Sequence, residues 1–149
     1  MHVYLVQHAE ANAEEIDPAR HLSEKGSSDA QTLGRFLADH GFRPSSIWHS
    51  GKTRSQETAQ AIAHAYDEEI ELIEKRGMAP NDNPKQILDE IERGIMIVGH
   101  LPFLSKLAAS LVTGHEKCHV LSFQYGRCAY LKREHKHWSV GWMVDPEFL

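Results

Sequence analysis

Two histidines and one arginine stand where this chain could build a site for an anion. His8 ends an apolar run that begins at Val3, and His100 ends a second apolar run that begins at Ile95. Arg54 follows a third apolar stretch and a Gly-containing turn, which places it in the first turn of a predicted helix. Imidazoles can donate protons or attack electrophiles, and a guanidinium binds oxyanions through two parallel hydrogen bonds. Free N–H groups at a helix start add to such a site.

The elements that carry these residues predict that they face one crevice. Short apolar runs rich in β-branched residues are typical of strands buried on both faces, as in a parallel sheet covered by helices. In such sheets, ligands bind outside the carboxyl ends of the strands. We therefore expect His8, Arg54 and His100 to converge at one edge of the sheet.

Strand and helix signals alternate along the first three quarters of the chain, which predicts an α/β fold. We expect a single domain over residues 1–149, with a mostly parallel central sheet flanked by helices. Strands are predicted at residues 3–8, 46–49, 70–73 and 95–98, and helices are predicted to begin near Ser23, Thr53, Pro84 and Pro102.

After Gly114 the pattern changes, because no helical periodicity separates the remaining apolar runs. Residues 120–123, 129–131 and 138–144 predict three strands that form an antiparallel C-terminal edge of the sheet. Trp138 and Trp142 have the even spacing that would place both on one face of the last strand.

Local signals refine the starts of two helices. Ser23 is a plausible N-cap for a helix that stops near Gly41. Thr53 and Gln56 have the spacing of a capping box, which predicts that the Thr53 side chain caps the helix that carries Arg54.

Composition excludes several classes of protein. The chain has 149 residues, of which 41% are hydrophobic and 25% charged, so an ordinary globular domain is expected. A net charge of -5 without a long basic run argues against nucleic acid as a partner. No apolar stretch approaches the roughly 20 residues that span a bilayer, and no signal-peptide pattern follows Met1. We expect a cytoplasmic protein that does not bind a membrane.

The eleven histidines raise the possibility of a metal site, but their spacing argues against one. The nearest clusters, His135 with His137 and Cys118 with His119, lack the paired spacing of zinc ligands. The two cysteines also lack the CxxC spacing of a redox pair. We predict neither a metal nor a cofactor.

His8 has two competing interpretations. A lone histidine most often caps a strand or satisfies a loop. Alternatively, a neutral imidazole can attack a phosphoryl group and form a phosphohistidine that water then hydrolyses. The second interpretation requires positive charge around the phosphoryl oxygens, which Arg54 and His100 would supply. Glu10 and Asp82 could act as general acids, but these residues and Glu57 are predicted to be solvated surface carboxylates.

Together the motifs resemble those of the histidine phosphatase superfamily, which includes the cofactor-dependent phosphoglycerate mutases. The motifs are the strand-end histidine, Ser50-x-x-x-Arg54-x-x-x-Thr58-Ala59 and Val98-Gly99-His100-x-Pro102. The short chain and three further segments are similar to the SixA-type phosphohistidine phosphatases. Those segments are Arg20-x-Leu22-Ser23-x-x-Gly26, Ala79 to Pro84 and Trp138 to Pro146.

The resemblance implies a phosphoglycerate mutase-like fold without a large helical lid. It implies that His8 is the nucleophile, Arg54 the phosphate clamp and His100 a phosphate-binding partner. It also implies a metal-independent phosphatase whose substrate is a phosphohistidine in a protein or a small phosphomonoester, with the protein favoured by the short chain.

The chain departs from the family pattern on both sides of the predicted nucleophile. Gln7 stands where the family has arginine, and Ala9 stands where it has glycine. Glutamine can donate a hydrogen bond to a phosphate oxygen, but it brings neither charge nor a bidentate fork. Arg20 is the first candidate to replace the missing charge, ahead of Lys52 and His49.

The predicted phosphate-binding set is therefore Gln7, His8, Arg20, Arg54 and His100. The alternatives to a phosphohistidine phosphatase are a small-molecule phosphomonoesterase and a weakened module that binds phosphate or a phosphoprotein without turnover.

Overall fold

A six-stranded mixed sheet runs through the middle of the molecule in the computed structural model, which describes residues 1–149. Its strands are β1 His2–Gln7, β2 Ser46–His49, β3 Glu71–Glu74, β4 Met96–Gly99, β5 Cys128–Glu134 and β6 His137–Val144. The helices are α1 Glu24–Asp39, α2 Thr53–Ala63, α3 Lys85–Leu88 and α4 Phe103–Thr113, followed by a 3₁₀ turn at Pro146–Phe148.

The strand order β3-β2-β4-β1-β5-β6 places β1 and β4 side by side in the centre. The pairs β3 with β2, β2 with β4 and β4 with β1 are parallel, whereas β5 and β6 add antiparallel strands on the other side of β1. The predicted α/β class with its antiparallel edge is confirmed.

Helices cover both faces of the sheet, and β1 contributes alternate side chains to each layer. Tyr4 and Val6 pack in the layer formed with α1 and α2, while Val3 and Leu5 pack in the layer formed with α4. Leu33 and Leu37 of α1 are among the side chains fully removed from solvent. Burying a side chain of this size stabilises the fold by about 1.5–3 kcal/mol. None of the helices has the length and hydropathy needed to cross a membrane.

The helix-start predictions had opposite outcomes. Ser23 is the N-cap of α1, and its hydroxyl accepts a hydrogen bond from the Gly26 N–H at 3.0 Å. The capping box at α2 is wrong, because Thr53 already lies within the helix and Lys52 occupies the cap position. No side chain caps α2, which leaves N–H groups of its first turn free.

Residues 120–123 do not form the predicted strand. The four inner strands β1, β2, β4 and β5 are each paired on both sides, and only β3 and β6 have a free edge. The segment pairs with neither of these outer strands. Its apolar residues pack instead: Phe123 is buried in the core beside α4, and Leu121 contacts the same core.

Trp138 and Trp142 lie on opposite faces of the sheet, so the predicted shared face is wrong. Tyr130 pairs with Trp142, but the next residue, Leu131, pairs with Val140, which leaves Gly141 as an extra residue. An extra residue in one strand reverses the face of the sheet to which side chains point on one side of the bulge relative to the other. Trp142 stacks on Tyr130, whereas Trp138 packs toward the α4 layer.

Candidate active site

The carboxyl ends of β1 and β4 bring two histidines together. Gln7 and Gly99 are register partners in the parallel ladder, so the next residues, His8 and His100, lie side by side. Their ring centroids are 5.1 Å apart. The side chains of both histidines are buried, with His8 5% exposed and His100 2% exposed.

The hydrogen bonding of His8 defines its tautomer. Its Nδ1 lies 2.8 Å from the carbonyl oxygen of Ala9. A carbonyl only accepts, so Nδ1 carries the proton and Nε2 keeps a free lone pair. Burial is the main cause that lowers the pKa of His8 from 6.5 to about 4. The Ala9 hydrogen bond opposes this shift, and the charges of Arg54 and Arg20 reinforce it. His8 is therefore neutral at pH 7.

The backbone around His8 is held on both sides. The His8 N–H donates to the Gly99 carbonyl at 3.0 Å. The Ala9 N–H donates to Thr58 Oγ1 at 2.9 Å, and the Thr58 hydroxyl donates to the Arg54 carbonyl at 2.7 Å. Ala9 has no positive φ, so its backbone does not require glycine. These bonds connect the end of β1 directly to the helix turn that carries Arg54.

Arg54 lies in the first turn of α2 without a carboxylate partner. It forms no ion pair, and its Nε is buried without a hydrogen-bond partner. Burial and the neighbouring charge of Arg20 lower the pKa of Arg54, but a guanidinium remains protonated in proteins. Its positive charge is thus available to an anion.

His100 contacts the loop that precedes α2. Its Nε2 lies 2.6 Å from Ser50 Oγ, which itself accepts from the Lys52 N–H at 3.3 Å. The remaining Ser50 proton can therefore point at Nε2, which leaves the ring proton of His100 on Nδ1. Burial, followed by the influence of His8 and Arg54, lowers the pKa of His100 to about 3. The hydrogen bonding therefore makes Nδ1 of His100 a donor, and the low pKa keeps the ring neutral.

Three buried side-chain polar atoms lack a partner, and all three belong to the predicted phosphate-binding set. They are Gln7 Oε1, Arg54 Nε and His100 Nδ1. An unsatisfied buried polar atom costs about 1–3 kcal/mol, so native proteins keep few of them. Their concentration at one edge of the sheet is typical of a ligand site.

The loop between β1 and α1 brings Arg20 close to this cluster. Arg20 adopts a left-handed conformation with φ +52°, and its Nε donates to the Asn12 carbonyl at 3.0 Å. Its charge contributes to the lowered pKa values of His8, Arg54 and His100. A strained backbone at a non-glycine residue is often found at functional sites.

The other two candidates for the missing charge are placed differently. His49 Nδ1 accepts from the Gly51 N–H at 3.1 Å, so this imidazole stabilises the turn before α2. Lys52 is exposed, although its charge contributes to the lowered pKa of His100. Arg20 is therefore the better-placed of the three.

Glu57 is partly exposed, as expected of a surface carboxylate, but it also holds a loop, which the sequence does not predict. Its Oε1 accepts from the Leu22 N–H at 2.9 Å and lies 3.3 Å from His21 Nδ1. These contacts attach the end of the Arg20 loop to α2. Glu57 lies three residues after Arg54 on the same helix, close to one full turn. This spacing is the sequence signal that could have indicated its role.

Gln7 lies at the border between His8 and a neighbouring cavity. Its side chain is 7% exposed and lines a cavity of about 400 Å³ together with Tyr125. The Tyr125 ring lies 5.4 Å from the His8 ring. The sequence does not indicate Tyr125, because its segment has no periodicity. Its position is set by the next residue, Gly126, whose N–H donates to the Gln7 carbonyl.

No carboxylate forms a hydrogen bond or an ion pair with the side chains of His8, Arg54 or His100. Glu10 accepts from Ser23 Oγ at 2.8 Å, and Asp82 accepts from the Ala79 N–H at 2.8 Å. Neither carboxylate bonds to His8, Arg54 or His100. No group of three or more His, Cys, Asp or Glu residues is placed to hold a metal ion.

Solved structures share this fold along nearly the whole chain. The protein histidine phosphatase SixA complexed with tungstate superposes with a TM-score of 0.85 at 15% identity, covering 99% of both chains. The putative phosphohistidine phosphatase SixA from Agrobacterium tumefaciens gives 0.79 at 23% identity, covering 97% of both. A phosphoserine phosphatase mutant from Entamoeba histolytica gives 0.72 at 16% identity, covering 99% of this chain and 98% of that one. The predicted phosphoglycerate mutase-like fold is confirmed.

Sequence comparison agrees with the fold. The chain is 29% identical over 126 residues to the phosphohistidine phosphatase SixA homolog of Haemophilus influenzae, an alignment that covers 74% of this chain and 77% of the relative. The model of the histidine phosphatase superfamily (branch 1) matches residues 3–78, about half of the chain, which include His8 and Arg54. This chain belongs to the histidine phosphatase superfamily.

Proposed function

We propose that this protein is a metal-independent phosphohistidine phosphatase that works through a phosphohistidine intermediate on His8. The observation that carries the proposal is the state of His8. Its ring is neutral, its Nδ1 proton is bound by the Ala9 carbonyl, and its Nε2 lone pair is free beside two cationic side chains. This is the state that a nucleophilic imidazole requires.

In the first step, His8 Nε2 attacks the phosphorus atom of the substrate. A P–N bond forms to His8, and the bond between phosphorus and the leaving nitrogen breaks, with its electron pair moving to that nitrogen. Arg54, the free N–H groups of α2 and the His100 ring donor stabilise the negative charge on the phosphoryl oxygens. Removing one donor of this kind costs about 10²–10³ in rate in comparable sites.

In the second step, water attacks the phosphoryl group on His8. The new P–O bond forms as the P–N bond to His8 breaks with its electron pair moving to Nε2, one proton of the water passes to a phosphoryl oxygen, and inorganic phosphate leaves. His8 returns to its neutral form because its Nδ1 proton stays hydrogen-bonded to Ala9 throughout. Low pKa values of His8 and His100 keep both rings neutral in the free protein over the physiological range.

The absence of a carboxylate contact in the cluster favours phosphohistidine over an alkyl phosphate ester. A protonated phosphohistidine ring leaves as neutral imidazole, so its leaving nitrogen needs no proton from the enzyme. An alkoxide leaving group does need such a proton, commonly from a carboxylic acid. Glu10 and Asp82, the candidates for this role, are bonded to other groups.

Two observations, one on the fold and one on sequence similarity, favour a phosphoryl group carried by a protein. The four helices pack on the faces of the sheet, so no helical lid stands over the strand ends. Similarity to the SixA homolog points to the same class of substrate. In this proposal Arg20 supplies the charge that Gln7 lacks, and the Gln7 amide donates a neutral hydrogen bond to the phosphoryl group.

Turnover of matched substrates tests the proposal. We expect wild-type protein in EDTA to hydrolyse a phosphohistidine peptide with a kcat/KM at least about 10² higher than the same peptide with phosphoserine. His8→Asn should reduce turnover to background, whereas His119→Asn, at an exposed site away from the cluster, should leave it unchanged. A preference for phosphoserine would indicate a phosphomonoesterase. Vanadate binding without turnover of either peptide would indicate a binding module, and both results contradict the proposal.

A further inference from the structure

The cavity beside His8 has a lining that phosphoryl transfer does not use. It measures about 400 Å³ and lies between the start of α1, the segment around Tyr125 and the C-terminal 3₁₀ turn. Its lining residues are Gln7, Glu10, Lys25, Asp29, Leu101, Phe123, Gln124, Tyr125, Asp145 and Glu147.

The lining carries an excess of negative charge. It holds four carboxylates and a single ammonium. Lys25 is paired with Asp29 at 2.7 Å, and Asp145 is paired with Arg127 at 2.7 Å. Glu10 and Glu147 form no ion pair, although both lie close enough to Lys25 to raise its pKa. Against the four carboxylates stand only Lys25 and Arg127, so the lining stays net negative beside a site that must bind an anion.

Gln7 provides independent evidence of a missing ligand. The side chain is more than nine-tenths buried, it lines this cavity, and its Oε1 has no hydrogen-bond partner. A carbonyl oxygen can only accept, so it needs an N–H or O–H donor. An arginine at this position would offer donors, whereas glutamine also offers an acceptor.

We infer that this cavity binds a guanidinium or ammonium group of the substrate, close to the phosphohistidine. The inference rests on the proposed function and names its substrate class: a phosphohistidine in a basic segment of a protein. Such a cation would donate to Gln7 Oε1 and balance the charges of Glu10 and Glu147.

The spacing between the two sites fits neighbouring residues of one peptide. Tyr125 lines the cavity, and its ring lies 5.4 Å from the His8 ring. Successive residues of an extended peptide are about 3.3 Å apart, so a residue one or two positions from the phosphohistidine can reach this wall of the cavity. A basic side chain one or two positions from the phosphohistidine can therefore enter the cavity while the phosphoryl group reaches His8.

Peptide pairs that differ only in charge test the inference. One peptide carries arginine at the first or second position after the phosphohistidine, and the other carries citrulline, its neutral isostere. We expect wild-type protein to hydrolyse the arginine peptide with a kcat/KM about five- to tenfold higher, a preference that declines toward unity in 0.5 M NaCl. Glu147→Gln should reduce this preference about two- to threefold. Glu71→Gln, which removes the same charge at the far edge of the sheet, should leave it unchanged.

Each result has a separate meaning. Equal kcat/KM values for two peptides that are both hydrolysed would overturn the cation site and leave the proposed function standing. A preference that persists in Glu147→Gln and in high salt would also overturn it, because the preference would then have another origin. Failure to hydrolyse either peptide would overturn the proposed function, and the inference would fall with it.

Discussion

At the scale of single residues, the replacement of a family arginine by Gln7 changes the character of the site. The structure places a neutral amide, whose Oε1 has no hydrogen-bond partner, at the border between His8 and an acidic cavity. Arg20 approaches the same histidines from a loop, held by its hydrogen bond to Asn12. In the proposed function the positive charge therefore comes from a loop rather than from a strand end.

Restoring arginine at position 7 should strengthen anion binding. Gln7→Arg adds a charged bidentate donor, and the adjoining cavity has room for the longer side chain. We expect the vanadate Kd to fall about tenfold and turnover of the citrulline peptide, which does not use the cavity, to rise, with the largest gain at low salt. Gln31→Arg, which adds the same charge on the exposed face of α1, should change neither value. Kinetics and vanadate titrations decide the question, and equal values for wild type and Gln7→Arg would show that position 7 does not face the phosphoryl group.

The titration of His8 should appear in the pH dependence of stability. Its pKa is 6.5 in the unfolded chain and about 4 in the folded protein. Between these values only the unfolded chain binds the proton, so acidification through this range favours unfolding. His8 therefore costs no free energy of unfolding above pH 6.5, and its cost grows as the pH falls toward about 4.

Chemical denaturation at pH 7 and pH 5 measures this effect. We expect the free energy of unfolding to fall by about 1–2 kcal/mol more in wild type than in His8→Asn, since one pKa unit corresponds to about 1.4 kcal/mol. An equal fall in both proteins would show that His8 titrates normally.

At the scale of elements, the site was predictable where it depends on strand ends. A parallel sheet aligns the carboxyl ends of its strands, so apolar runs that end in histidine suffice to bring His8 and His100 together. Arg54 follows from the same logic, because the turn after β2 leads into a helix start. Contacts made by loops were not predictable: Tyr125 is placed by a backbone bond from Gly126, and Glu57 acts on a loop about 35 residues earlier in the chain.

Local pattern also failed where packing overrides it. The apolar run at residues 120–123 suggests a strand, but β1 has no free edge to accept one. The Thr53 capping box fails because the helix begins one residue too early, which leaves N–H groups of its first turn without a side-chain cap. The bulge at Gly141 reverses the facing of Trp138, and no periodicity in the sequence marks it.

The first turn of α1 packs against the backbone of Glu10, and Gly26 permits this contact. A Cβ at position 26 would overlap the carbonyl oxygen of Glu10. We expect Gly26→Ala to lower the free energy of unfolding by about 1–3 kcal/mol, because the backbone must shift. Turnover should fall as well, since Glu10 lies two residues from His8. Ser28→Ala on the exposed face of α1 is the matched control, and thermal melts that coincide for the two variants would contradict the close contact.

At the scale of the whole molecule, the sheet order determines what can meet. The parallel strands β2, β4 and β1 lie side by side with β4 in the middle, so their carboxyl ends meet at one edge of the sheet. His8, His100 and the turn before Arg54 converge there, although they are separated by more than 40 residues along the chain. The helices remain on the faces of the sheet, and the proposed protein substrate requires this edge to stay without a helical lid.

The central claim is that His8 carries the phosphoryl group during turnover, and trapping the intermediate tests it most directly. Wild-type protein mixed with a ³²P-labelled phosphohistidine peptide in EDTA, then quenched within milliseconds, should carry label that survives base and is lost in acid. The label should map to His8, and His8→Asn should retain none while His119→Asn labels normally. Rapid turnover without labelled protein, label on another residue, or labelling that requires an added divalent metal would contradict the account.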